Sequence, residues 1–246
     1  MQTKVHQRFV ARIAAYETDL ELANVLINQF INATKDSNET VAAAIGANAI
    51  SHPKLNGRVN SKTSRKIVGI HLKRTVYGSF VKDAYEDFGE YLTSIVALAA
   101  HTGMDPARLI GDLKVDLKVA DLLATGSWNE MVKKISETIF RSLENERSTI
   151  KLIDKIDGRL GLKLLPKKIA DAMPYLDARH IIVHRDGRPD TVYRTKYPAI
   201  GIATDARIKL DFNFINNART SICALARHID DQVIAKNLCK QTEIVP

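Results

Sequence analysis

The 246-residue chain holds only two cysteines, Cys223 and Cys239, sixteen positions apart. So few thiols give no disulfide framework and point to a reducing compartment. No run of about 18 apolar residues is present, the length a membrane-spanning helix requires. The first stretch, MQTKVHQRFVARIAAYETDLE, carries acidic residues early and no continuous apolar segment, so no secretory leader is expected. Internal repeats, low-complexity tracts and an evident domain linker are all missing. The expectation is one cytoplasmic domain spanning 1–246, with no membrane partner. Hydrophobic residues at 45% supply enough apolar material for an ordinary globular core.

The most informative absence is that of acidic side chains between residues 40 and 82. That segment has no Asp or Glu, yet it holds Lys54, Arg58, Lys62, Arg65, Lys66, Lys73, Arg74 and Lys82. With these eight set aside, the remaining 28 Lys and Arg match the 28 Asp and Glu, so the formal net charge of +8 resides in this one segment. A local field of one sign attracts polyanions and speeds their encounter; the alternative is a solvated basic loop that touches nothing.

What is present is mostly helical periodicity. Residues 8–34 place Phe9, Ile13, Tyr16, Leu20, Ala23, Ile27 and Phe30/Ile31 at three- and four-residue spacing, which predicts a long amphipathic helix. KDSNET breaks it, VAAAIGANAI allows a short helix, and SHPKLNGRVNSKTSRK reads as loop, a basic excursion over about 38–70. A second long helix is expected from Leu72 to Ala100, ended by Gly103-Met104-Asp105-Pro106, with Pro106 in the first turn of a short third helix. A further helix is stopped by Gly126, and Ser127 with Glu130 forms a capping box for one running from Trp128 to about Ile156. LPKKIADAMPYLDARHIIVH is the next, kinked or restarted near Pro174. TVYRT and RIKLDF predict a small irregular or β patch, followed by a last helix over 214–238. The fold class is therefore all-α, an antiparallel helical bundle with a basic insertion after the first helix. Tyr77 and Tyr175, near basic residues, have the chemistry to stack on bases; their helical spacing favours core for Tyr175.

One short stretch concentrates chemistry: ARHIIVHRDG, residues 178–187, in which Arg179, His180 and His184 precede a turn at Asp186-Gly187. Three readings fit. His180 and His184, at i and i+4, reach one metal ion from one helical face, but a zinc-peptidase helix wants Glu where Ile181 stands, and a third ligand must come from Asp186, His228 or elsewhere. Alternatively, an imidazole exchanges protons with a hydroxyl or leaving oxygen while Arg179 stabilises charge on a phosphoryl group. Five residues separate Arg179 from His184, roughly 140° on an ideal helix, so convergence needs help. In the third reading Arg179 pairs with a carboxylate on a neighbouring helix and His184 complements the helix C-terminus. HRD at 184–186 also echoes a kinase catalytic loop, but without the glycine-rich loop and DFG that would accompany it.

Arg179-His180-Ile181-Ile182-Val183-His184 resembles the R-[N/D/H]-x-x-x-H signature of the HEPN superfamily (higher eukaryotes and prokaryotes nucleotide-binding), near the end of a late helix in an all-helical chain. The resemblance implies a HEPN-like bundle that homodimerises to bring two motifs into one cleft. It implies a metal-independent endoribonuclease with no cofactor, an effector of phage defence or of a toxin–antitoxin pair. Arg179 would then stabilise phosphate, His184 act as general acid/base, His180 orient the pair, and products end in a cyclic phosphate. RNA would be drawn by Lys54, Arg58, Lys62, Arg65, Lys66, Lys73, Arg74 and Arg185. The tyrosines that follow the His in some HEPN toxins are replaced by Arg185-Asp186-Gly187-Arg188, with Tyr193 nine residues after His184. The alternative is a non-catalytic HEPN-like nucleic-acid-binding or interaction protein, under an antitoxin or other regulatory partner in either case.

Overall fold

A computed structural model of the chain describes residues 1–32, 35–102, 120, 124–144 and 149–246. The described residues form an all-α bundle with one short ribbon. Helix α1 (Lys4–Asn32) runs out and α4 (Lys62–His101) runs back. Between them lies a small lobe carrying α2 (Val41–Ala44) and α3 (Pro53–Asn56). Helices α5 (Trp128–Glu144), α6 (Thr149–Leu160), α7 (Pro166–His184), α8 (Thr191–Lys196) and α9 (Phe212–Ala235) complete the set. Strand β1 (Gln2–Thr3) pairs antiparallel with β2 (Ile244–Val245), which ties the two ends together.

The α1–α4 hairpin sets the frame, and its contacts fix the register. As the number rises along α1 the partner's number falls along α4: Phe9 meets Phe88, Tyr16 meets Phe80, Tyr77 reaches Asn24 and Lys73 reaches Asn28. At the far end the helices close tightly over Gly69, where a Cβ would lie 2.7 Å from Ile31 Cδ1 and 3.1 Å from Ile27 Cγ2. A side chain there would force Ile31 to shift, so glycine favours the close packing. Helix α9 packs across α1, α4 and α7, and Tyr91 of α4 donates to Ala226 O at 2.8 Å. One core cluster runs from Val5 to Cys239.

Several sequence expectations change in detail. Helix α4 begins at Lys62, ten residues before Leu72, because the Ser61 hydroxyl accepts from Ser64 N–H and starts the helix inside the stretch read as loop. TVYRT is not a strand. The Asp190 carboxylate accepts from Tyr193 N–H at 2.8 Å and caps α8 there, overriding the β-branched residues. RIKLDF supplies a single bridge, Ile202 to Ile208. The helix expected from Trp128 to Ile156 is described as α5 and α6, with 145–148 outside the described residues. The Ser127 cap is present, accepting from Glu130 N–H at 3.2 Å, and Gly126 takes the positive φ of a helix stop. The third helix expected at Pro106 lies outside the described residues. Helix α7 continues through Pro174. Among the described residues no helix is long and apolar enough to cross a membrane.

The ribbon end of the bundle buries polar groups. Asp230 is fully buried and accepts from Thr3 N–H at 3.0 Å and from the Thr3 hydroxyl at 2.5 Å. His6 sits beside it, its Nδ1 2.7 Å from Gln2 Oε1 and its buried Nε2 without a partner. Burial pushes the His6 imidazole below its ordinary pKa of 6.5, with Asp230 opposing. The unfolded chain therefore takes up a proton at this position before the folded one does. The stability His6 confers is complete above pH 6.5 and falls as pH drops below it. Urea denaturation at pH 7 and pH 5 is expected to show a larger loss for wild type than for His6→Gln; equal losses would contradict this assignment.

Candidate functional site

Helix α7 carries the motif. Pro166 occupies its first turn, and Leu165 N–H donates to His228 Nε2 at 3.0 Å to fix its start. Ile169, Ala172, Met173, Leu176, Ala178 and Ile181 form its buried stripe, and Ile182 lies over Gly78 of α4. Tyr175 packs edge-on against Phe214, and Tyr77 is fully buried in the core, so neither is presented for stacking on bases.

The helix ends in the turn the sequence predicts, with Asp186 and Gly187 both at positive φ and Gly187 N–H returning to Ile181 O at 3.0 Å. Arg207 clamps this turn. It ion-pairs with the Asp186 carboxylate, donates to Asp186 O at 2.8 Å and donates to Asp205 Oδ2 at 2.8 Å. Asp205 in turn pairs with Arg74 of α4, so a chain of four charges locks the motif's exit to the central helix. The Arg207 guanidinium holds the Asp186 carboxyl below the ordinary carboxylate range.

His180 and His184 are both exposed, their ring centroids 4.9 Å apart and planes at 47°. Arg179 turns the other way. Its guanidinium carbon stands 5.3 Å from the Tyr85 ring centroid on α4, and its Nε is buried without a hydrogen-bond partner. Among the described residues no carboxylate pairs with Arg179, so the ion pair that a purely structural arginine would make is not found. The two histidines are thus brought together, while Arg179 is carried to a different side of the helix, as the 140° separation implies. Asp190, beside this end, accepts from Tyr193 N–H and from Arg185 Nη1 at 2.6 Å. The Tyr193 N–H, then Arg185 and His180, hold its carboxyl below the ordinary range.

Among the described residues a metal reading finds no third donor. Asp186 is occupied by Arg207, His228 anchors the opposite end of α7, and no cluster of three His, Cys, Asp or Glu occurs among the described residues.

The eight cations expected to meet RNA divide sharply. Lys54, Arg58, Lys62 and Lys66 are exposed on the lobe and the first turns of α4. Arg65 must be withdrawn from the set. It is 2% exposed, donating to Asn60 Oδ1 at 2.6 Å and to Ile31 O at 3.3 Å, and it holds the lobe to the hairpin. Lys73 donates to Asn28 Oδ1 at 2.9 Å, Arg74 is engaged with Asp205 and Arg185 with Asp190. Tyr85, Asp190 and Arg207 were not picked out by sequence reasoning. Asp190 was findable as a cap three residues before Tyr193, whereas Tyr85 and Arg207 come to the motif only through tertiary packing.

Comparison with protein-family models, curated proteins and solved structures finds no match to this chain. The functional reading therefore rests on the residues themselves.

A guanidinium over an aromatic face at a partly exposed position is worth about 0.5–1 kcal/mol. A double-mutant cycle of Arg179→Met and Tyr85→Leu, read by urea denaturation, is expected to return a coupling of about that size. A coupling indistinguishable from zero would mean Tyr85 does not hold Arg179.

Proposed function

We propose that the chain is a homodimeric ribonuclease of HEPN type that cuts RNA through attack of the substrate's own 2′-OH. The observation that carries this reading is the exposed His180–His184 pair, directly preceded in sequence by an arginine whose charge no described carboxylate neutralises. Two adjacent imidazoles can take and give protons, and a guanidinium stabilises charge growing on phosphorus. His184 acts as acid/base and Arg179 as phosphate stabiliser. Because Arg179 and the histidines diverge on one helix, dimerisation supplies the arginine from a second copy. The chemistry needs no metal: nucleophile, base and electrostatic stabiliser are all organic groups. Roles in phage defence or toxin–antitoxin control, and a regulatory or antitoxin partner, follow from the motif's resemblance alone.

The exposed Lys54, Arg58, Lys62 and Lys66 draw RNA through its phosphates, an attraction that is independent of sequence and weakened by salt. A second reading, a non-catalytic nucleic-acid-binding module, is favoured by one specific observation: Arg179 is half-buried against Tyr85 instead of lying beside the histidines.

Purified protein incubated with mixed RNA in EDTA is expected to cleave it, leaving cyclic phosphate ends. Arg179→Ala and His184→Ala are each expected to lose on the order of 10²-fold or more in rate. Cleavage unchanged in both variants would sink the nuclease reading; RNA binding without cleavage would establish the second.

The lobe makes a separate prediction. Changing Lys54, Arg58, Lys62 and Lys66 together to Gln is expected to flatten the slope of log affinity for single-stranded RNA against log salt by up to about 3, at about 0.7 per phosphate contact. Arg65→Ala is expected instead to destabilise the lobe, by about 1–3 kcal/mol from leaving the buried Asn60 short of its Arg65 bond. A slope unchanged by the fourfold variant would remove the lobe from RNA binding.

A further inference from the structure

We propose that the cleft at the ribbon end of the bundle is a binding site for a small phosphate monoester with an apolar body, separate from the motif on α7. The cleft has a volume of about 660 Å³, within the range of sites that enclose a small organic ligand. The start of α1, the last third of α4, the first turns of α5 and the segment leading into β2 meet around it. Val5, Ala97 and Leu98 give it an apolar wall, and Arg8, Lys133 and Lys240 bring positive charge to the same space. Along α4, Ser94 stands 32 residues from Lys62 and 16 from Gly78, about 48 Å and 24 Å at the helical rise. The cleft is therefore neither the cationic lobe nor the exit of α7, and it stands independently of the ribonuclease reading.

The pairing of charges decides the sign of the ligand. Three carboxylates also line the cleft, Glu90, Glu130 and Glu243. Two of them are answered by cations that do not line it. Arg12 donates to both oxygens of Glu90 and, followed by Arg8 and Lys133, holds that carboxyl below the ordinary carboxylate range. Glu243 lies 4.0 Å from Lys4. Glu130 is the one lining carboxylate without an ion pair among the described residues. Against it stand Arg8 and Lys240, both exposed, whose side chains make no hydrogen bond or ion pair among the described residues. An anion entering the cleft meets these two cations. A phosphate monoester carries a charge of about −1.5 to −2 at pH 7, which suits two cations better than the single charge of a carboxylate does. Ser94 and Thr242 offer hydroxyl donors to its remaining oxygens. The wall of Val5, Ala97 and Leu98 then receives the apolar body.

The test is isothermal titration calorimetry of the full-length protein with two probes, 1-naphthyl phosphate and inorganic phosphate. Wild type is expected to bind one 1-naphthyl phosphate per chain, at least about tenfold more tightly than inorganic phosphate, because burying the ring adds to affinity. Arg8→Gln and Lys240→Gln are each expected to weaken 1-naphthyl phosphate by about 10- to 100-fold, the worth of a hydrogen bond to a charged group. Both side chains are exposed, so these variants keep the fold, which circular dichroism checks. His184→Ala, at the end of α7, is expected to bind as wild type does. No binding of 1-naphthyl phosphate at millimolar concentration would overturn the site, and so would equal affinity for the two probes. Affinity left unchanged by Arg8→Gln and Lys240→Gln, or lost with His184→Ala, would place the ligand elsewhere and overturn it too. Each of these results leaves the ribonuclease reading as it stands.

Discussion

Helix α4 is forty residues long, about 60 Å, and it has to bury apolar side chains on more than one side. Several long-range relationships near the motif are referred to it. Tyr77, Phe80, Val81, Ala84, Phe88, Tyr91, Leu92 and Ile95 form a stripe too wide for one partner, so α1 takes one flank and α7 and α9 take others. The antiparallel register with α1 is set by aromatic contacts at one end and by the close approach over Gly69 at the other. Once α4 is fixed in this way, α7 has few places to lie. Ile182 settles over Gly78, Arg179 over Tyr85, and the chain through Asp205 and Arg207 pins the exit of α7 at the level of Arg74. The motif's geometry is thus a consequence of hairpin packing.

That geometry separates two tasks along one turn of helix. Residues four apart on a helix point the same way, so His180 and His184 converge without outside support. Arg179 does not share their side. It faces α4, where an aromatic ring, not a carboxylate, meets its guanidinium. A carboxylate would neutralise the charge; a ring holds the group in place and leaves the charge available. Arg185 shows the contrast, since it pairs with Asp190 and its charge is answered locally.

Much of this could be read from the residues. The long helices announced themselves by three- and four-residue spacing, and the end of α7 by Asp186-Gly187, where aspartate and glycine tolerate positive φ. Ser127 was legible as a cap for the same reason: a hydroxyl three residues before a free N–H has a definite job. Other features resisted. The first five residues of α4, Lys62 to Lys66, are polar and resemble loop, because their helix is set by the Ser61 cap and not by an apolar stripe. TVYRT looked like strand because β-branched and aromatic residues favour it, yet one cap at Asp190 outweighed that preference. Arg65 looked like surface charge, since composition counts cations without saying which have buried partners. Tyr85 lies 94 positions from Arg179, and no local pattern links residues so far apart.

The distance between the lobe and the motif constrains what the exposed cations do. Lys62 stands twelve to sixteen residues along α4 from the level of Arg74 and Gly78, about 18–24 Å at the helical rise. Charges at that separation are screened in salt, where the Debye length is about 10 Å at 0.1 M. Lys62 therefore has little direct electrostatic influence on the end of α7. In the proposed reading the lobe cations act on the turn through a ligand long enough to touch both places. A mononucleotide does not span that gap, whereas a polymer with a phosphate at every link does. In the proposed ribonuclease reading, this separation lets one end of α4 capture a long polyanion while the other end works on it.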